Sequence, residues 1–125
     1  MDQQKKINEF LKNQNSKITK RDSITSDGST TNYRLWDLNI IIRDLQTNSI
    51  YLSDCGSKTA ATSERLNAFL NYFNAVDWDG NPIYYTPSSG FYSLAERANK
   101  KDADKKVINA SQIMIDYYTG SLLAG

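Results

Sequence analysis

The alternation of apolar and polar positions is clearest between Tyr33 and Phe73. Trp36, Leu38, Ile40 and Ile42 alternate with Asp37, Asn39, Ile41 and Arg43, which predicts an extended strand with one wholly apolar face. Asp44 to Ser49 is rich in turn formers, and Ile50, Tyr51 and Leu52 supply a second short run, so the pair reads as an antiparallel hairpin with a longer loop. From Ala60 the period becomes helical. Leu66, Phe69, Leu70 and Phe73 fall at i, i+3, i+4 and i+7 and form a stripe suited to cover the hairpin's apolar face.

On the N-terminal side, Ile7, Phe10 and Leu11 predict a short amphipathic helix from about Asp2 to Asn15, whose narrow stripe must dock or fray. The Asp27-Gly28 turn signal then proposes a three-stranded meander over residues 17–25, 31–43 and 49–54. On the C-terminal side, Ile83, Tyr84 and Tyr85 suggest one more short strand. Phe91, Leu94, Ala95 and Ala98 have helical spacing, with Ser93 and Glu96 as a capping box. A last helix is expected from Asp102 or Ala103 to Tyr118, with Val107, Ala110 and Met114 inward and Gly120 as its stop, although Ile113 and Ile115 lie off that stripe. Together these elements predict a single α+β domain over residues 1–125. A small antiparallel sheet of three to four strands packs against three to four helices, and residues 1–16 form a loosely docked N-terminal helix.

Composition changes this picture little. A chain of 125 residues can bury one core, and eight Tyr, four Phe and two Trp are too many aromatics for a disordered polymer. No run approaches 18 apolar residues and the N-terminus lacks a signal-peptide pattern, so the expectation is a soluble protein of the host cytoplasm with no membrane partner. The net charge of +1 hides an asymmetry. Residues 1–21 carry six basic residues against Asp2 and Glu9, a balance of +4, whereas residues 22–95 carry four basic against eight acidic, a balance of −4.

The chemistry available is narrow. With no histidine, the usual neutral-pH base, the Ser-His and Cys-His pairs and all His-ligated metal sites are missing. The single cysteine, Cys55, beside Asp54 and without a nearby cation, reads as a small half-buried side chain. No glycine-rich phosphate loop is present. Asp37, Asp54, Asp77 and Asp79 are candidates for carboxylate chemistry by elimination only, and turn formation explains three of them equally well. Asp77, Asp79 and Asn81 alternate like the first ligands of a calcium loop, but Gly80 and Pro82 occupy the wrong positions and Ser88 stands where a bidentate glutamate is required. The chain is therefore read as a non-enzyme, with no catalytic residues, cofactor or metal.

The run Thr59-Ala60-Ala61-Thr62-Ser63-Glu64-Arg65-Leu66-Asn67-Ala68-Phe69-Leu70, preceded by the hairpin, resembles a small uncharacterised domain of phages, prophages and gut-bacterial mobile elements. In that family two strands lead to a Ser-x-Thr-Thr-Ser-x-His-Leu-Asn-x-Phe-Leu helix start. The likeness covers about a third of the chain and rests on Thr62-Ser63 and Leu66-Asn67-x-Phe69-Leu70. The family's histidine falls at Arg65, its first serine at Thr59 and the first threonine of its pair at Ala61. The resemblance implies a phage or mobile-element setting and no particular reaction. Thr59, Thr62 and Ser63 also suit a helix N-terminus.

The resulting expectation is an accessory protein that binds a macromolecular partner, most specifically a protein partner such as a host nuclease complex of the anti-CRISPR or anti-restriction type. Partner contacts are assigned to Asp77, Trp78, Asp79, Tyr84 and Tyr85, where aromatics and acids share loops. The alternatives are a nucleic-acid-binding accessory protein, with phosphate contacts at Lys17, Lys20, Arg21, Lys100 and Lys101, or a self-assembling phage component.

Overall fold

A computed structural model describes residues 3–95 and 104–125. In chain order the elements are α1 (Gln3–Leu11), β1 (Ser16–Lys17), β2 (Asp22–Ser26), β3 (Thr30–Leu35), β4 (Leu38–Asp44), β5 (Ser49–Ser53), α2 (Ala60–Tyr72), β6 (Ile83–Thr86), β7 (Gly90–Ala95), β8 (Asp104–Asn109), β9 (Gln112–Asp116) and β10 (Leu122–Ala124). Seven strands form one sheet in the order β1-β2-β3-β4-β5-β9-β10, and β6-β7-β8 form a second. All strand pairs within both sheets are antiparallel.

This overturns the expected small sheet under three or four helices: the protein is mostly β, with two helices among the described residues. The error lies in the C-terminal third. Phe91 and Leu94 belong to strand β7, and the segment expected as one helix is the strand pair β8 and β9 around a turn at residues 110–111. Glu96, Ala98 and the expected helix start at Asp102 or Ala103 lie outside the described residues. Ile113 and Ile115, which did not fit the helical stripe, are buried, with Met114 between them more exposed, which is the period of two of a strand. Gly120 ends no helix. It sits in the β9–β10 turn at φ 74°, and an added Cβ would lie 2.2 Å from the Phe73 carbonyl oxygen.

The expected strand over 31–43 is two strands. Leu35 pairs with Leu38, so Trp36 and Asp37 form a two-residue hairpin turn and Trp36 stands in solvent, away from any apolar face. A register shift between Tyr33 and Arg34 then leaves Ile40 as an extra residue opposite them, and the consecutive Ile40 and Ile41 are both fully buried. Beyond it Ile42 turns outward and Arg43 inward, the reverse of the predicted faces. The β4–β5 hairpin does form, with Ile41 opposite Leu52 and Arg43 opposite Ile50.

Helix α2 forms as its stripe requires, with Leu66, Phe69, Leu70 and Phe73 buried. Thr59 is its N-cap, accepting the Thr62 N–H, and Ser63 Oγ donates to the Thr59 carbonyl. Phe69 is central to the core: Phe10 of α1 meets it edge-on at 5.2 Å and Tyr33 of β3 at 5.5 Å. Through Ile7 and Phe10 the N-terminal helix is docked, and both side chains are buried.

Asn67, one of the residues carrying the family resemblance, has a role that the pattern of its neighbours does not reveal. Its side-chain amide accepts the Tyr85 N–H and donates to the Tyr85 carbonyl, both at 2.8 Å. A helix side chain thus stands in for a neighbouring strand on the edge of β6, joining the small sheet to α2.

Candidate partner-binding surface

The small sheet has two unlike faces. Inward, Ile83, Tyr85, Phe91 and Ser93 are buried, and Tyr85 and Phe91 pack at 4.9 Å between ring centroids. Outward, cross-strand pairing aligns Tyr84, Tyr92 and Val107 in one row. Tyr84 is 42% exposed and Val107 57%, unusual for side chains of this size standing side by side. The Tyr84 and Tyr92 rings lie 5.9 Å apart, and Lys105 Nζ sits 4.4 Å from the Tyr92 ring centre.

Two hollows adjoin the small sheet. A groove of about 450 Å³ between α2 and β6 is lined by Leu70, Asn74, Val76, Pro82 and Tyr84 among others. A second hollow, of about 180 Å³, is lined by Trp78, Asp79, Ser93, Lys106 and Val107 among others. Trp78 is 68% exposed, so it is a surface side chain and does not close the core. Val107 belongs to the row and also borders the Trp78 hollow, so the hollow adjoins the row, although Ser93 and Lys106, which line it too, alternate with Tyr92 and Val107 and belong to the other face of the sheet.

Of the residues expected to meet a partner, Trp78, Asp79 and Tyr84 are exposed, Tyr84 in the row and Trp78 and Asp79 in the second hollow. Asp77 and Tyr85 are buried and engaged within the fold. Asp77 Oδ1 accepts the backbone N–H groups of Asp79 and Asn81, both at 2.9 Å, so the acidic loop is closed on its own carboxylate in an Asx-type turn. Burial pushes that carboxyl upward, but hydrogen bonds from Ser93 and from the loop's donors outweigh it and hold it below the usual range. The Tyr85 hydroxyl donates to Asp54 Oδ2 at 2.5 Å. With Asp77 engaged, the loop's exposed acid is Asp79, and Lys106 lines the same hollow. The helical spacing of their segments hides Tyr92 and Val107 from a reading of the sequence alone. Once 83–85 is a strand with Ile83 inward, a period of two alone sends Tyr85 in and Tyr84 out.

Two more buried carboxylates, Asp54 and Asp22, are held by donors of the fold. Asp54 is fully buried and accepts from Tyr85, from the Gly56 N–H at 2.8 Å and from Lys58 Nζ at 3.0 Å. Burial raises its pKa, and these donors more than reverse the effect, so it lies below the ordinary value. Asp22, also fully buried, takes Arg65 Nε on Oδ1 at 2.5 Å and Arg65 Nη2 on Oδ2 at 3.0 Å, together with the hydroxyls of Tyr33 and Thr19. Burial opposes its ionisation, but Arg65 first, then Thr19 and Tyr33, hold it well below the carboxylate range. Burial and the neighbouring carboxylate raise the Tyr33 hydroxyl strongly. Arg65, where the resembling family has histidine, is thus the buried cation tying α2 to β2. Asp37 is exposed in the β3–β4 turn. Among the described residues no group of three or more acids or cysteines is placed to hold a metal ion.

Cys55 is exposed, not half-buried, at φ 52° after β5. Lys17, Lys20 and Arg21 are gathered around the β1–β2 turn, at the end of the large sheet where Trp36 stands. Lys100 and Lys101 lie outside the described residues. Among the described residues no helix is long and apolar enough to cross a membrane. Comparison with family models, curated proteins and solved structures finds no match for this chain.

Proposed function

We propose that this chain is a non-enzymatic accessory protein that works by occupying a protein partner through the outer face of its small sheet. The observation that carries this reading is the row Tyr84–Tyr92–Val107, with Tyr84 and Val107 exposed and Tyr92 half-buried between them, and Trp78 exposed in the neighbouring loop. Aromatics held on strands lose little freedom on binding and supply most of the energy of typical interfaces. Support also comes from the buried carboxylates, since Asp22, Asp54 and Asp77 are saturated by donors from the fold and offer no free base to a substrate.

The more specific proposal is inhibition of a host nuclease defence by stoichiometric occupancy, in keeping with the phage or mobile-element setting that the family resemblance implies. Its interface is aromatic first and charged second, because the acid Asp79 and the base Lys106 line the same hollow. The test is expression in a cell carrying an active nuclease defence, followed by infection or transformation, with Trp78→Ala and Tyr84→Ala combined as the comparison. Protection by the wild type, lost in the variant, and co-purification of the defence nuclease after nucleic acid is digested support the proposal. Equal protection by both proteins places the working surface elsewhere, and no protection removes the nuclease-inhibitor reading.

A further inference from the structure

The opposite end of the molecule carries a different surface. Leu35 faces Leu38 across the β3–β4 hairpin, leaving Trp36 and Asp37 as its turn, and the Trp36 N–H donates to the Arg21 carbonyl at 2.7 Å. The tip of one hairpin is thereby fastened to the base of the neighbouring β1–β2 turn. Trp36 has φ 56°, a left-handed conformation that turns normally give to glycine or asparagine, yet its indole is 61% exposed. A bulky residue held in this region is a local cost, and the strain points to a use for the side chain.

Around that indole the charge is mainly positive. Lys17 lies opposite Ser23, and Ser23 opposite Arg34, so Lys17 and Arg34 share a face of the sheet about 10 Å apart, two strand spacings. Lys20 and Arg21 occupy the β1–β2 turn. Among the described residues the ion pairs are Lys12–Glu9, Lys58–Asp54 and Arg65–Asp22, so none of these four cations is neutralised by one. The acid at the next position after them, Asp22, is cancelled by Arg65 inside the core. Arg34 reaches the Asp37 carbonyl, not its carboxylate, at 3.4 Å, and Asp37 is the one acid on the two turns.

We infer that this end of the large sheet binds single-stranded nucleic acid, with Lys17, Lys20, Arg21 and Arg34 against the phosphates and the Trp36 indole as a platform for an unpaired base. A cationic patch alone would suit any polyanion. The exposed, backbone-fixed indole selects a ligand with unpaired bases, because stacking requires an accessible base face that a duplex hides. This surface is separate from the outer face of the small sheet and does not rest on it.

The test titrates the full chain with fluorescein-labelled oligothymidylate and oligouridylate, a duplex of equal length, and polyglutamate, at several salt concentrations. The Trp78→Ala protein leaves Trp36 as the remaining tryptophan. Expected is single-strand binding that quenches this emission, with log affinity falling against log salt at a slope of about −2.8 for four phosphate contacts. Arg21→Gln with Arg34→Gln should flatten the slope by about 1.4. Trp36→Gly is the decisive variant, since glycine relieves the backbone: its melting temperature should be unchanged or higher, and its affinity about 5- to 150-fold lower, the range of one lost base stack. A preference for thymidylate or uridylate would tell DNA from RNA as the natural strand. Absence of binding at low salt, equal affinity for the duplex or polyglutamate, or full affinity in Trp36→Gly would each overturn the inference.

Discussion

Tyr84 and Tyr85 are neighbours in one strand and have opposite fates. Tyr85 is 1% exposed, packed on Phe91 with its hydroxyl on a buried carboxylate, whereas Tyr84 is 42% exposed beside Tyr92 and a lysine. The inner face of the small sheet is thus bound into the fold by packing and hydrogen bonds. The outer face has aromatic area that the fold does not use. The difference teaches that residue type does not mark an interface here; what marks it is a side chain whose removal should leave the fold intact and remove the binding.

The largest effects should fall on the inner side. Phe91→Ala empties a fully buried site and should cost about 3–5 kcal/mol in urea melts, as should Arg65→Ala, which leaves the Asp22 carboxylate buried without its cation. A loss under about 1 kcal/mol for Phe91→Ala would break the contrast between the faces, because it would put an inner residue in the range of surface positions.

Next in size is Tyr85→Phe, which keeps the ring and removes one donor from Asp54. A cost of about 1–3 kcal/mol is expected at neutral pH. Its pH dependence sharpens the comparison. Asp54 and Asp22 have folded-state pKa values below their unfolded ones, so their contribution is complete above the unfolded carboxylate value of about 4 and is lost as pH falls through the folded values. The stability gap between wild type and Tyr85→Phe should therefore narrow in acid. Melts at pH 7 and in steps below pH 4 check this, and a gap that widens in acid would contradict the assignment of an ionised Asp54.

The smallest effects on stability should come from the outer face. Tyr84→Ser and Tyr92→Ser should each change stability by about 0.5 kcal/mol or less, although a serine there leaves the strands and their backbone pairing intact. Thermal melts of the single variants decide it. A cost above about 2 kcal/mol would make the outer row a second structural layer.

How much of this could be read along the chain depended on whether local period and tertiary position agreed. Helix α2 and the β4–β5 hairpin were legible because their apolar spacings fit one element each. Residues 91–95 and 104–116 were not, because Phe91, Leu94, Val107, Ala110 and Met114 satisfy a helical spacing as readily as a strand pair. Only Ile113 and Ile115 lie off the helical stripe, and their period of two fits β9 alone. The turn at Trp36-Asp37 has no glycine, proline or asparagine to announce it, and the bulge at Ile40 reverses the faces of everything after it in β4. The Arg65–Asp22 pair joins residues 43 apart in sequence, a contact no local pattern specifies. At the candidate surface, Trp78 and Tyr84 were legible as aromatics near a turn. Tyr92 and Val107 became part of it only when their segments proved to be strands.

The most direct test of the two-faced sheet combines stability and capture in one protein. The Tyr84→Ser, Tyr92→Ser double variant and the wild type are immobilised in parallel, exposed to nuclease-treated lysate of the source cell, and compared for retained protein and for melting temperature. The account predicts melting within a few degrees of wild type and loss of the captured partner. Wild-type capture by the double variant, with its fold intact, would contradict the claim that the outer aromatic face is the working surface.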